Sequence, residues 1–360
     1  MRYLVVPSKE TQVWREFLNS NNWLEKGLLI EKEGENRAIP LSKNFPEKVP
    51  TNLQQFKIIN KNTMSSKIYD YLGHLEKHIG SEKFDEFSDL WPQSYDQIGE
   101  IIIIKIPEEI EVFAKEIGIS LLFQNKKITR IFQDLGVQGE FRIRNLKLIG
   151  GPKNLGGETK IKENGVEFIV DPTKGYYSPR LANERAGTVE SAISLKNKLG
   201  RELNICDAYA GFGPALIPLL KKKNIVKYLL ANDLNSKITN TLRRNLIQNN
   251  KDNCIIKIDC MDARKLINYS ENKGRFDLLL VNLPHSTLEH LPSLIELLNN
   301  NSTSLLKAWC IIEENEIEVV KNQIIDLLNS QKYLISKIVV NSTRSYSPTQ
   351  IYAKIEVWIN

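Results

Sequence analysis

Two groups of residues in this chain have the types and spacing of a cofactor-dependent transfer reaction. The first is Asp207-Ala-Tyr-Ala-Gly211-Phe-Gly213-Pro214, a glycine-rich turn after a strand-like run at 203–207. Gly211 and Gly213 permit a tight turn and close approach of backbone to a nucleotide-like ligand. Asp233 ends the next strand-like run, about twenty residues on, where a carboxylate can meet a ribose hydroxyl. The competing reading is a cap for the helix that starts after Asn235 and Ser236. Asp262 follows the third run and can accept from the exocyclic amine of an adenine, or cap the turn at Arg264. The second group is Asn282-Leu283-Pro284, at the end of the apolar run 276–281. A side-chain amide followed by a proline of fixed φ places a rigid donor and acceptor where open α/β sheets bind ligands. The same tripeptide can mark a simple turn.

Upstream, Tyr176-Tyr-Ser-Pro-Arg-Leu-Ala-Asn-Glu184-Arg185 is dense in groups able to contact a ligand. Glu184 can serve as a general base beside a cofactor, or lie exposed on a helix and pair with Arg185. Arg142 and Arg144 alternate with Phe141 and Ile143, so both point to one face of a strand. That face is either solvated or a site for anions and RNA. His74 and His78 have helical spacing but lack the glutamate of a His-Glu-x-x-His motif, so no histidine metal site is expected. Cys206, Cys254, Cys260 and Cys310 form no Cys-x-x-Cys pair and read as thiols in a reducing compartment.

These residues need elements to position them. The 360 residues are 41% hydrophobic and 26% charged, ordinary for a soluble globular protein of two or three domains. A net charge of +6 permits a nucleic-acid partner without demanding one. The apolar runs are strand-sized, and the first residues lack a secretory pattern, so a cytoplasmic protein without membrane spans is expected. Strands are predicted at 3–6, 28–30 and 37–41, with a helix at 13–21 and a polar linker at 60–66. A helix at 67–87, strands at 100–106, 141–149 and 166–170, and a helix at 107–117 suggest a compact α+β module. From about residue 186 strands and helices alternate, beginning with a helix at 188–199, which implies a doubly wound, mostly parallel sheet. The last two strands, 335–340 and 351–358, are too close for a helical crossover, so the last one should be reversed. The expected division is 1–62, 63–180 and 181–360: two small α+β domains before a Rossmann-like domain whose reversed last strand resembles the pattern of the Rossmann-like methyltransferases.

Gly139-Glu-Phe-Arg142-Ile-Arg144, Lys162-Glu-Asn-Gly165, Tyr177-Ser-Pro-Arg-Leu181, Glu184-Arg185, the glycine turn and Asn282-Leu-Pro284 together resemble the archaeal and eukaryotic type of tRNA (guanine-37-N1)-methyltransferase. Ser94-Tyr-Asp-Gln-Ile-Gly99 and Arg344-Ser-Tyr-Ser-Pro348 extend the resemblance over nearly the whole chain. The resemblance implies S-adenosylmethionine as cofactor, assistance by Mg²⁺, and a monomer that grips tRNA at the anticodon stem-loop and the outer corner. It implies Glu184 as general base, Arg142 as the support for guanine O6, and Asn282 and Pro284 as the holders of the target base. Tyr176, Arg185, Asp207, Gly211, Gly213, Asp233, Leu234, Asp262, Ala263 and Asn282 then fall at cofactor-binding positions. Departures are the glycine-rich stretch 150–157 and His285, where a basic residue is expected after Asn-Leu-Pro. The rival readings are an aminocarboxypropyl transferase of wyosine synthesis, an exocyclic-amine methyltransferase, and a tRNA-binding protein with a vestigial cofactor fold.

Overall fold

Alternating apolar residues and short polar turns build the N-terminal sheet. The computed structural model describes residues 1–25, 28–61, 70–139 and 143–360. Strands β1 (Arg2–Pro7), β2 (Glu31–Glu33), β3 (Asn36–Pro40) and β4 (Lys57–Asn60) form an antiparallel four-stranded sheet in the order β2-β3-β1-β4. Helix α1 (Thr11–Ser20) covers it, with Leu18 packed among Leu4, Val6, Ile39 and Leu53. The strand expected at 28–30 lies instead at Glu31–Glu33. Its place is set by the turn at Gly34, whose φ of +59° lets β2 fold back on β3 with Glu33 opposite Asn36. The linker expected at 60–66 falls mostly outside the described residues.

The helix expected at 67–87 is two helices, α2 (Tyr71–Ile79) and α3 (Ser81–Glu86). Gly80, at φ +87°, stops the first. Strands β5 (Asp96–Ile98) and β6 (Ile101–Ile104) precede a 3₁₀ turn at Glu108–Phe113 and helix α4 (Ala114–Gln124). Strands β7 (Arg130–Gln138) and β8 (Ile143–Gly150) follow. β6 pairs in parallel with β7. Ile102, Ile104, Ile117, Leu121 and Ile131 share one core.

The chain forms two compact units: Met1–Gln97 with Ile101–Asp134 and Lys147–Lys153, and Ile98–Glu100 with Leu135–Leu146 and Asn154–Asn360. In the second, β9 (Thr159–Glu163) and β10 (Val166–Val170) make a hairpin on Asn164 and Gly165, at φ +48° and +79°. Asn-Gly is the sequence that such a two-residue turn requires. Pro179 opens a 3₁₀ turn that leads into helix α5 (Ala182–Leu199). This helix begins six residues before the expected 188, so Glu184 and Arg185 lie in its first turn rather than ahead of it.

The alternating pattern then yields β11 (Leu203–Asp207), α6 (Ile217–Leu220), β12 (Val226–Asn232), α7 (Thr239–Asn249), β13 (Ile255–Asp259) and β14 (Leu278–Val281). It closes with α8 (Thr287–Leu294), β15 (Ser304–Glu313), α9 (Ile317–Ser330), β16 (Ile335–Ser345) and β17 (Gln350–Ile359). The seven-stranded sheet runs β13-β12-β11-β14-β15-β17-β16. It is parallel from β13 to β15, and β17 is antiparallel to both of its neighbours, the expected reversed last strand. The strand order reverses between β11 and β14, which puts a ligand crevice at their carboxyl ends. Both sequence groups with chemical character lie there.

Candidate active site

The glycine turn leaves β11 at Asp207, whose Oδ1 accepts from the Tyr209 amide at 3.1 Å. Burial pushes the Asp207 carboxyl up to about 7, and the neighbouring Asp233 adds to the rise. Asp233 stands at the end of β12 and ties the turn down. Its Oδ2 accepts from the Gly211 amide at 2.8 Å and its Oδ1 from the Asn235 amide at 2.9 Å. Burial raises its carboxyl and the two amides oppose that rise. Gly211 is at φ +56°, and a Cβ built on it would meet nothing within 4 Å. Gly213 is at φ +83°, and its Cβ would press on Leu242 and Leu246 of α7 at 3.0 and 3.2 Å. The first glycine therefore borders open space, and the second packs the turn on the helix.

Leu234 is exposed beside Asp233, and Ala263 is buried. Asp262 caps the 3₁₀ turn Ala263–Asn268 by accepting from the Arg264 amide. The Arg264 guanidinium holds its carboxyl down to about 2. An open cradle over Gly211, acids at the tips of β11 and β12 and after β13, and an exposed leucine fit an adenosyl cofactor. Such a ligand needs close backbone, acceptors for hydroxyl and amine groups, and an apolar wall.

The second half of the site is built on β14, β15 and β17. Asn282 follows β14, and its Oδ1 accepts from the Tyr352 hydroxyl at 2.9 Å. The loop after it is fixed from β15. The Ile311 amide donates to the Pro284 carbonyl at 2.9 Å, and Thr287 Oγ1 bonds both the Leu283 and Trp309 carbonyls. Glu184 accepts from Trp309 Nε1 at 3.0 Å. Trp309 and Tyr352 are each 3% exposed and pack with Leu181. Arg344 lies over the Tyr352 ring at 4.8 Å. Burial raises the Tyr352 hydroxyl, and Tyr176, Glu184 and Arg185 lie close enough to act on it. Tyr176 itself is half exposed. His285 stacks edge-on against Tyr346 of the Arg344-Ser-Tyr segment, ring centres 5.6 Å apart.

Arg185 is buried and held by a carboxylate and a carbonyl. Its Nε donates to Glu163 Oε1 at 2.6 Å, its Nη2 to Glu163 Oε2, and Nη2 also to the Ser178 carbonyl at 3.0 Å. Tyr177 donates to the same carboxylate at 2.7 Å and presents its ring to the guanidinium. This clamp joins the β9–β10 hairpin to the start of α5 and so sets where Glu184 points. Deeper in the sheet, buried Lys307 bonds Glu356 at 3.0 Å, Ser191 Oγ at 2.9 Å and the Gly187 carbonyl at 3.3 Å. It holds the next turn of the same helix, and burial lowers its ammonium group.

Asp207 and Asp233 thus stand at the carboxyl ends of β11 and β12, Asp262 and Asn282 follow those of β13 and β14, and Glu184 is joined to β15 through Trp309, whereas Arg185 is taken up by the clamp. Arg142 lies outside the described residues. Trp309, Tyr352, Lys307 and the role of Glu163 are not legible from the sequence. Glu163 stood in the quoted Lys162-to-Gly165 segment, but the others had no local mark beyond alternation along a strand.

Residues 159–321 match the family model described as TRM5/TYW2 methyltransferase domain, and residues 75–154 match the TYW2 N-terminal domain. The chain is 32% identical over 299 residues to "tRNA (guanine(37)-N(1))-methyltransferase Trm5b" of Pyrococcus abyssi, covering 81% of this chain and 79% of that protein. The Trm5b of Methanocaldococcus jannaschii is 31% identical, with 78% of each chain covered. The crystal structure of Trm5b from Pyrococcus abyssi superposes with a TM-score of 0.70 and 26% identity, covering 100% of this chain and 99% of that one. The likeness spans both compact units and the motifs that border the crevice, and the chain belongs to the tRNA (guanine(37)-N(1))-methyltransferase family.

Proposed function

We propose that this protein transfers a methyl group from S-adenosylmethionine to N1 of guanosine 37 of tRNA, with Glu184 as the base. One observation carries the residue assignment: Glu184 and Asn282, 98 positions apart, are each hydrogen-bonded to a member of one buried aromatic pair, Trp309 and Tyr352. Guanine N1 bears a proton at neutral pH and is a poor nucleophile. Glu184 takes that proton as the N1–carbon bond forms. When bound, the cofactor supplies an electrophilic methyl on its sulfonium and leaves as a neutral thioether. Negative charge that shifts toward O6 needs a cationic donor, the role assigned to Arg142. Asn282 holds the extruded base and Pro284 stiffens that contact. Tyr176, Asp207, Gly211, Gly213, Asp233, Leu234, Asp262 and Ala263 are assigned to the cofactor, and Arg185 acts on it through the turn it clamps.

The same reading gives residues 1–62 to the outer corner of the tRNA and 63–180 to the connection and RNA contact. Residues 181–360 are left for the transfer. It includes a monomer, a cytoplasmic setting and assistance by Mg²⁺, checked respectively by light scattering, by fractionation and by EDTA. Among the described residues no helix is long and apolar enough to cross a membrane.

The test uses adenosylmethionine labelled in its methyl group and transcripts with guanosine or adenosine at position 37. Label on the guanosine transcript alone is expected, and equal labelling of both overturns the reading. Label that reaches RNA from the carboxyl carbon of the cofactor would support aminocarboxypropyl transfer instead.

A further inference from the structure

The family reading names a base and a guanine holder but leaves open what fixes the two relative to each other. Trp309 and Tyr352 answer that. They stand on adjacent antiparallel strands, where Trp309 pairs with Lys354 and Ile311 with Tyr352. Period-two alternation therefore turns Lys307, Trp309 and Ile311 to the same face as Tyr352, Lys354 and Glu356. Both rings are buried in one cluster with Leu181, the residue just before α5. From that cluster one polar atom leaves in each direction: indole Nε1 to Glu184, and the phenol hydroxyl to Asn282.

We infer that Trp309 and Tyr352 are positioning residues that lock Glu184 and Asn282 into the geometry for transfer; the inference rests on the function proposed above. An indole N–H only donates, so it occupies one carboxylate oxygen and leaves the other for the proton of N1. The Tyr352 hydroxyl engages Asn282 Oδ1, which fixes the amide and commits its amino group to the base. A phenol keeps its proton at neutral pH and so can donate here. Lys307, one rung along on the same face, bonds the carbonyl of Gly187 and the hydroxyl of Ser191. The helix end that carries Glu184 is thereby held at two successive rungs of one strand. Neither ring needs to touch substrate, since each acts through the residue it orients.

The experiment measures single-turnover methylation of a guanosine-37 transcript and, separately, cofactor and tRNA affinity, on the full chain. Tyr352→Phe deletes one hydrogen bond and keeps its ring; Trp309→Phe deletes one and keeps an aromatic side chain, a smaller one, in the cluster. Each should slow transfer about tenfold while both affinities stay within about twofold. The decisive readout is a pair of double-mutant cycles. Trp309→Phe should add nothing in a Glu184→Gln background, and Tyr352→Phe nothing in Asn282→Ala. A purely structural role predicts losses that multiply in both backgrounds and a fall in cofactor affinity. Unchanged transfer in the single variants, or multiplied losses, overturns the inference while the function stands. No transfer by the unmodified protein overturns the function, and the inference falls with it.

Discussion

The two halves of the crevice are built by different means. On the β11–β12–β13 side backbone amides hold the groups that border the cradle, joined at Asp262 by the Arg264 guanidinium. Asp233 is fixed by the amides of Gly211 and Asn235, and Asp262 by that of Arg264. On the β14–β15–β17 side the groups come from far apart and side chains hold them: Trp309 for Glu184, Tyr352 for Asn282, Glu163 for Arg185. A backbone-built site tolerates changes of side chain but not of dihedral angle. A side-chain-built site has the opposite sensitivity. The difference suits the tasks, since a cofactor always presents the same atoms to its cradle, whereas proton transfer needs one carboxylate oxygen aimed within a narrow cone.

The largest effect that can sharpen this contrast is on the base proposed above. Glu184→Gln keeps the side chain's shape and removes the proton acceptor. Transfer should fall roughly 10²–10⁴-fold, the usual worth of a general base, with adenosylmethionine affinity near normal. Single-turnover methylation beside calorimetric binding checks both parts. Unchanged transfer would remove Glu184 as the base.

Next in size is the clamp. Glu163→Ala leaves the Arg185 guanidinium buried without its carboxylate, a change that costs about 3–5 kcal/mol in comparable buried pairs. Thermal unfolding should show a large drop in Tm, and the survivor should lose transfer more than cofactor affinity, because the start of α5 loosens. Equal loss of both would join the two halves into one cooperative site and end the distinction between them.

The acids of the backbone-built half give a pH test. In the folded chain Asp207 keeps its proton up to about 7, against an ordinary value of 3.8. Between those values the folded state binds more protons than the unfolded one, so stability declines as pH rises through that window. Asp262 behaves oppositely: with its carboxyl held near 2, its contribution is present above the ordinary range near 3.8 and is lost as pH falls toward 2. Asp207→Asn should therefore flatten the decline in apo-protein Tm between pH 5 and pH 8. Its gain at pH 8 has a ceiling on the order of 4 kcal/mol. An undiminished slope in the variant would assign the decline to other groups.

The same contrast explains what could be read from the sequence. The parallel sheet and its reversed last strand follow from alternating periodicity and one short connection, and both are found. The glycine turn, Asp233, Asp262 and Asn282 are legible because each follows a strand-like run, a position that the sequence shows before any partner is known. Trp309 and Tyr352 are not, because a buried aromatic on a strand looks like any other core residue until the register of β15 against β17 is known. The start of α5 was misplaced because Pro179 begins a 3₁₀ turn that runs directly into the helix, and a proline in a polar stretch reads as loop. The strand at Glu31–Glu33 was missed because a charged edge strand has no apolar pattern and owes its place to a turn.

The smallest predicted effect separates the two glycines of the turn. Gly211 and Gly213 both adopt positive φ, so alanine at either costs about 1 kcal/mol of backbone strain. They differ in what the added methyl meets. At Gly211 it meets nothing within 4 Å and projects into the open side of the cradle; at Gly213 it meets Leu242 at 3.0 Å. Gly211→Ala should weaken adenosylmethionine binding about tenfold, the result of placing a methyl where backbone and ligand must approach closely, with little change in Tm beyond the strain. Gly213→Ala should lower Tm further through the strained contact with α7 and leave cofactor affinity closer to normal. Isothermal calorimetry and thermal unfolding on both variants decide it. If the two alanines affect binding and stability in the same proportion, the open space over Gly211 is not where the cofactor lies, and the division of the crevice into a backbone-built and a side-chain-built half loses its first member.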